Sequence, residues 1–506
     1  MPTPKHPIRN ALLTILSLAV IAVGAVAVLF VRSFTNADLD LAGSVHFENE
    51  LAVPPLAESR IDPDGTRVFD LTLQRGVTDF GDLKKVLTWG INQSYLGPTL
   101  RAERGERVRV DVTNEIGESS TLHWHGMHLP ARMDGGPHQM VADGETWSPR
   151  WRVDQPAATL WYHPHPHGRT ADHVYRGLAG MFLVDDPAAG RLGLPHDYGV
   201  DDIPMIIQDK AFADGRLEDA APLFSPVGFL GDRILVNGTP EAYVEVGTQR
   251  VRLRLLNASN ARVYNLGFDD HRRFDLVATD GGLLSAPEQM SSLVLSPGER
   301  AELVVAFQPG ERSVLRSNPT DIAGDFLQQR WSGGDDRLDV MQFRAAERLT
   351  PSPAVSAALV EQPALPSAEV AAERTFTLTT PTINGREMDM DRIDETVVVD
   401  TTELWTVRNQ DGTPHNFHVH DVQFQVVEVD GREPPGHLTG RKDTVFVPAN
   451  SEVRLLLRFT DYADRTFPYM FHCHLLRHED RGMMGQFVVV EPGESVGLPP
   501  TPHHDH

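Results

Sequence analysis

Residues 105–113 read GERVRVDVT, residues 247–257 read GTQRVRLRLLN and residues 399–409 read VDTTELWTVRN. In each stretch apolar side chains alternate with polar ones. Successive side chains of a strand point to opposite faces, so this period of two marks half-buried β-strands. From about residue 45 onward such segments are short and are broken by Gly, Pro, Asn and Asp. That is the pattern of antiparallel sandwiches, and no long amphipathic helix interrupts it. The threefold recurrence predicts an all-β protein of three related sandwich domains.

Outward from these stretches, the expected domains are 45–188, 191–348 and 373–495, with an Ala- and Pro-rich linker at 349–372 and a disordered tail at 496–506. Residues 11–31 form an uncharged apolar run, long enough as a helix to span a bilayer. Lys5 and Arg9 precede it and predict a cytoplasmic N-terminus at 1–10. The run exceeds the roughly 7–15 residues of a signal h-region, and no clear A-x-A site follows. A retained transmembrane anchor is therefore expected over a cleaved signal peptide. Either way the body of the protein lies outside the cytoplasmic membrane, in the periplasm or at the cell surface. A net charge of −24 lacks the basic footprint that a nucleic-acid partner would need. The single cysteine, Cys473, rules out an internal disulfide.

The 22 histidines are far from randomly spaced. Apart from the overlapping His165-Pro-His167 and the tail's His504-Asp-His506, four His-x-His pairs occur: His123 with His125, His163 with His165, His418 with His420, and His472 with His474. In a strand, residues i and i+2 share a face, so each pair presents two imidazoles to one site. Cys473 then points away from His472 and His474. His415, three residues before His418, falls on the face opposite His418 and His420. Two metal sites on the two sides of one β layer follow. One is rich in imidazole and can be polynuclear; the other collects His415 and Cys473. His478 and Met483 complete a set of two His, one Cys and a thioether, which suits a blue-copper electron-transfer site. Zinc also takes Cys and His, but a structural zinc site needs no polynuclear neighbour.

The motifs TLHWHG (121–126), LWYHPHPHG (160–168), HNFHVH (415–420) and FHCHLLRHEDRGMMG (471–485) together resemble those of three-domain multicopper oxidases of the bacterial laccase and cuprous oxidase type. The likeness covers about residues 45–495. It implies three cupredoxin-like Greek-key sandwiches behind an N-terminal hydrophobic helix, and an enzyme that couples one-electron oxidation of a donor to reduction of O2 to water. It also implies four copper ions. The type 1 ion would be held by His415, Cys473 and His478, with Met483 axial. The type 2 ion would be held by His123 and His418. Of the type 3 pair, one ion would take His125, His163 and His474, and the other His165, His420 and His472. The cluster would lie between the first and third domains.

Cys473, bonded through backbone to His472 and His474, is the expected electron route. Asp134 and Glu479 match acidic positions that serve oxygen reduction in similar enzymes; the alternatives are a turn aspartate and a surface glutamate. His128, His138, His167 and His173 are expected to face solvent or support the ligands. His196 and His271 lie in the middle domain, which is expected to bind no copper. The donor is harder to read. The 13 methionines form no rich cluster of the cuprous-oxidase kind, so phenolic or similar donors are expected first, and Cu(I) or Fe(II) second. Asp411, Met388 and Met390 could form a modest metal-ion approach, although a solvated loop with two packing methionines is the preferred reading. Some relatives of this fold have lost copper and serve structural or division-related roles; intact Cys473 and histidines argue against that here. A copper nitrite reductase needs no paired type 3 ligands. The chain is expected to act as a monomer.

Overall fold

The computed structural model describes residues 7–81, 85–362, 365 and 369–500. The expected cytoplasmic N-terminus, linker and tail lie partly outside the described residues. The strands build three two-layer sandwiches. In the first, a six-stranded sheet that includes Arg67–Asp79 and Arg107–Glu115 shares a core with a four-stranded sheet ordered Leu100–Glu103, Gly180–Asp185, Ala158–His163, His123–His125. The middle sandwich combines a seven-stranded and a six-stranded sheet. The third combines a six-stranded sheet with a five-stranded one ordered Glu395–Val398, Met484–Val490, Asp464–His472, His415–Val419, Thr444–Val447.

The period-2 stretches fold as their pattern dictates. Along Arg107–Glu115, Val108, Val110 and Val112 point inward and are fully buried, while Arg107, Arg109 and Asp111 take the other face. Each buried valine stabilises the sandwich by roughly 1.5–3 kcal/mol. Two placements cut across the sequence-based domain limits. Asn49–Glu50 pairs in parallel with Ala242–Tyr243, so it extends a sheet of the middle sandwich. Strand Val370–Thr379 starts inside the Ala- and Pro-rich stretch and pairs with Thr401–Asn409. Its anchoring residues are the buried Phe376 and Leu378, downstream of the biased composition.

Among the described residues, four α-helices accompany the sheets: α1 (Pro7–Asn36), α2 (Thr170–Arg176), α3 (Phe326–Trp331) and α4 (Leu476–Asp480). The apolar surface of α1 is exposed along nearly its whole length, and Ala11–Asn36 is long and apolar enough to cross a membrane.

Buried charge networks seal the sandwiches together. Glu302 of the middle sandwich accepts hydrogen bonds from Arg252, from Arg254 (3.0 Å) and from the Thr159 hydroxyl of the first sandwich (2.7 Å). Burial would raise the Glu302 carboxyl, but Arg252 and Arg254 outweigh it and hold the group down at about 2. Glu302→Gln, which leaves two buried guanidiniums undercompensated, is expected to cost about 3–5 kcal/mol, read as a lowered denaturation midpoint. A depressed carboxyl stabilises above its unfolded pKa. The contribution of Glu302 is therefore complete above pH 4.5 and is lost as pH falls towards 2.

Candidate metal centres

The His-x-His pairs meet where the four-stranded sheet of the first sandwich faces the five-stranded sheet of the third. Antiparallel pairing sets His163 opposite His123, and in the third sandwich His418 opposite His472. All eight histidines of the four pairs are at most 1% exposed. His123 stacks on His420 with ring centres 3.9 Å apart, and His125 on His418 at 3.7 Å. Ligand atoms lie within 4.8 Å of one another in each of three sets: His165, His420 and His472; His123, His418 and His420; His123, His125 and His163. His474 closes the ring of imidazoles, its ring centre 5.0 Å from that of His125 and 5.2 Å from that of His163.

Six of these eight imidazoles are held neutral. Burial, reinforced by neighbouring histidines, drives His125, His163, His418 and His420 well below their ordinary range. Burial likewise takes His165 and His474 to about 3. A neutral ring has one N–H and one lone pair, and a bond to the N–H decides where the lone pair points. His123 Nδ1 donates to the Asp134 carbonyl (2.9 Å), His418 Nδ1 to the Asp443 carbonyl (2.8 Å) and His163 Nδ1 to the Pro164 carbonyl (2.9 Å). His420 Nδ1 donates to Asp134 Oδ2 (2.7 Å). In these four rings Nε2 is the nitrogen left to bind. His125 is reversed: Nε2 donates to Asp443 Oδ1 (3.0 Å), and Nδ1 faces His163 Nε2 at 3.4 Å. Among the described residues, His123 Nε2 and His418 Nε2 have no hydrogen-bond partner. Buried lone pairs left so are costly unless an electrophile meets them, so the donor set fits metal ions.

Two carboxylates line this cavity. Asp134 caps the short helix Ala131–Met133, which makes it a turn residue, but it is only 1% exposed and serves both His123 and His420. Glu479 is no surface glutamate. It is equally buried on α4, with its oxygens 3.2 Å from His472 Nδ1 and 3.4 Å from His165 Nδ1. Burial alone would raise its carboxyl, but the adjoining His165 and His472 hold it well below the usual range.

Inside the core of the third sandwich, Cys473 Sγ lies 3.6 Å from His415 Nδ1 and 3.7 Å from His478 Nδ1. The outer nitrogens of these rings are tied back, His415 Nε2 to Asp411 Oδ2 (3.0 Å) and His478 Nε2 to the Pro226 carbonyl (2.9 Å). Both Nδ1 atoms therefore stay free beside the sulfur, 3.2 Å from each other, and the three donors converge on one point. Met483 is fully buried in the same core, and its carbonyl accepts the Cys473 N–H (3.1 Å). Burial pushes the Cys473 thiol up to about 12. A thiolate here needs a cation beside it, and sulfur with two imidazoles suits a soft one. Asn416 steadies the arrangement. Its Oδ1 accepts from the His474 N–H and the Cys473 S–H, while its Nδ2 donates to Ser296 Oγ (3.1 Å) and the Pro297 carbonyl (2.8 Å).

The remaining sequence candidates stand apart from these groups. His128 pairs with Asp421 and Asp461, His138 with Gln486, and His173 with Ser120 and Glu118. His167, His196 and His271 are exposed. Asp411 is engaged by His415 and by Thr380, whose N–H and hydroxyl both donate to it. Met388 and Met390 are half-buried. Sequence reading missed Asp443, which is 1% exposed and joins His125, Thr444 and Arg300. It sits in Arg441-Lys-Asp-Thr444, away from any histidine pair, and only the pairing of Thr444–Val447 with His415–Val419 brings it to the cluster.

Comparison with known proteins agrees with this geometry. Three family models, each described as multicopper oxidase, match residues 72–189, 208–315 and 361–493. Multicopper oxidase mco of Staphylococcus haemolyticus (strain JCSC1435) is 34% identical over 448 residues, which cover 87% of this chain and 93% of that protein. Cell division protein FtsP of Edwardsiella tarda (strain FL6-60) is 39% identical over 449 residues, covering 87% of this chain and 92% of that protein. The laccase from Pediococcus acidilactici Pa5930 superposes with a TM-score of 0.81 at 33% identity, covering 90% of this chain and 96% of that one. The chain belongs to the multicopper oxidase family and is an oxidoreductase.

Proposed function

We propose that this protein is a laccase-like oxidase, anchored outside the cytoplasmic membrane by α1, that oxidises phenolic or similar donors one electron at a time and reduces O2 to water. The observation that carries this reading is the pair of buried donor sets joined through His472-Cys473-His474. His415, Cys473 and His478, with Met483, are assigned to the type 1 copper, and His123 and His418 to type 2. The type 3 pair takes His125, His163 and His474 on one ion and His165, His420 and His472 on the other. Copper, when bound, supplies the one-electron redox chemistry that connects donor and O2.

The protein's own part is positional. The backbone of residues 472–474 gives the sulfur a short covalent path to two cluster imidazoles. Asp411 and the Pro226 carbonyl keep both Nδ1 atoms free beside the sulfur. Turning O2 into two waters consumes four protons as well as four electrons, so the cavity needs carriers. Asp134 Oδ1, without a hydrogen-bond partner among the described residues, can hold one beside His123 and His420. Glu479 can relay another between His165 and His472. Asp134→Asn is expected to slow turnover by about 10–100-fold while the blue absorption stays intact. Unchanged turnover would remove Asp134 from the proton path.

Two other readings each have an observation in their favour. Asp411, part-exposed beside His415, favours oxidation of Cu(I) or Fe(II). The similarity to the cell division protein FtsP favours a division role, for which a copper-free homologue is the alternative, but all twelve donor residues are present here. Metal analysis with optical spectroscopy, followed by oxygen uptake with a phenol, Cu(I) and Fe(II), tests all three. Bound copper with a thiolate-to-copper band and fastest uptake on the phenol supports the proposal. Uptake on metal ions alone replaces it with the second reading, and absence of copper with the third.

A further inference from the structure

The C-terminal end of α1 is docked, and it is docked beside the cysteine site. Phe30 stands 5.4 Å from Trp331 and 6.0 Å from Phe224, and Phe34 stands 6.1 Å from Phe326. Ser33 Oγ donates to the Leu223 carbonyl (2.6 Å), and Arg330 Nε donates to the Phe34 carbonyl (2.8 Å). The apolar run 11–31 ends at Arg32. At 1.5 Å per residue it covers about 30 Å, the thickness of a bilayer's hydrocarbon core. With α1 spanning, Phe30 sits at the outer membrane–water boundary, and Phe224 and Trp331 sit level with it. Among the described residues outside α1, the exposed phenylalanines are Phe224 and Phe326, and Leu223 beside them is 51% exposed. Aromatic and apolar side chains at that level are interface anchors.

The same two segments hold the cysteine site. Pro226, two residues past Phe224, receives His478 Nε2. Two residues of chain reach at most about 7 Å. Gln328 of α3 accepts from the Thr413 hydroxyl (3.0 Å), and the Gly412 carbonyl accepts from Gly324 N–H (2.8 Å), next to the Asp411 that holds His415. Between α1 and the body lies a cavity of about 390 Å³, lined by Leu29, Leu223 and Trp331 on its apolar side. Leu230, which also lines it, packs on the core that contains Cys473 and Met483.

We propose that the electron donor comes from the membrane: a lipid-soluble hydroquinone enters between α1 and the 222–226 loop and is oxidised at the edge of the Cys473 site. This rests on the laccase-like reading above and on α1 being retained. Each hydroquinone loses two electrons and two protons and leaves as a quinone. Two of them match one O2 reduced to two waters.

The test uses the full chain in phosphatidylcholine vesicles. Brominated lipid should quench part of the tryptophan fluorescence, and that part should vanish in Trp331→Phe. A long-tailed alkyl hydroquinone dissolved in the vesicles is then compared with a water-soluble hydroquinone. Phe326→Asp, which leaves the cavity lining intact, should lower oxidation of the tailed donor by about tenfold, as an exposed apolar side chain loses its lipid contact. Oxidation of the soluble donor should be unchanged. The milder Phe326→Ser covers the case in which the aspartate unfolds α3. No quenching at Trp331, or equal loss with both donors, overturns the proposal while leaving the laccase-like reading standing. Oxidation of neither hydroquinone by the unmodified protein overturns both.

Discussion

Cys473→Ser is expected to abolish both the blue absorption and oxygen uptake with every donor. Serine is nearly isosteric, but its oxygen is hard and does not ionise at neutral pH, so His415 and His478 are left beside a group that cannot complete a soft copper site. The fold should survive. The side chain is fully buried in the third core, and exchanging a thiol for a hydroxyl there costs about 1–3 kcal/mol. The cluster imidazoles are held by Asp134, Asp443 and Glu479 rather than by Cys473, so the variant should retain cluster copper. Optical spectra, copper content and oxygen uptake on one preparation check this. A persistent blue band would mean that another sulfur serves the site, and persistent uptake would mean that electrons bypass residues 472–474.

Asp443→Ala should produce the complementary lesion. Asp443 accepts from His125 Nε2 (3.0 Å), Thr444 Oγ1 (2.9 Å) and Arg300 Nη1 (2.7 Å), and Arg300 is itself fully buried. Removing the carboxylate frees the His125 ring to rotate, and losses of this kind lower metal affinity or turnover by about 10–100-fold. It also strands a buried guanidinium, at a cost of about 3–5 kcal/mol. The blue absorption should remain, because the Cys473 site lies on the other side of the sheet. Asp443→Asn separates the two effects. Its amide oxygen can still accept from His125 while the charge opposite Arg300 is lost, so it should keep more of the cluster's copper than alanine does at a similar loss of stability. Normal cluster copper in the alanine variant would show that His125 needs no such support.

These two residues also mark what the sequence could and could not say. Cys473 was legible because extended chain obeys a parity rule: at the end of Asp464–His472 and just past it, His472 and His474 join the imidazole cluster while Cys473 enters the core of the third sandwich, and spacing alone predicts this. The strands were legible for the same reason, since Val108, Val110 and Val112 alternate with charge. Asp443 was not legible. Its partners are 318 residues away at His125 and 143 away at Arg300, and no local pattern encodes a contact across that distance. The strand at Asn49–Glu50 was hidden likewise, because two residues carry no periodicity and its sheet belongs to another domain. Glu479 was placed by its neighbour His478, but its burial between two cluster imidazoles depends on how α4 packs against α2, where Asp480 accepts from the backbone N–H of Thr170 and Ala171.

Asn416 reaches from the cysteine site into the middle sandwich, which supplies none of the assigned ligands. That sandwich returns the gesture at Pro226, at Arg300, and at Gly298, where even a β-carbon would come within 3.0 Å of the His474 ring. The three units are therefore not interchangeable modules. A chimera that borrowed its middle unit from a relative would inherit that relative's grip on both donor sets.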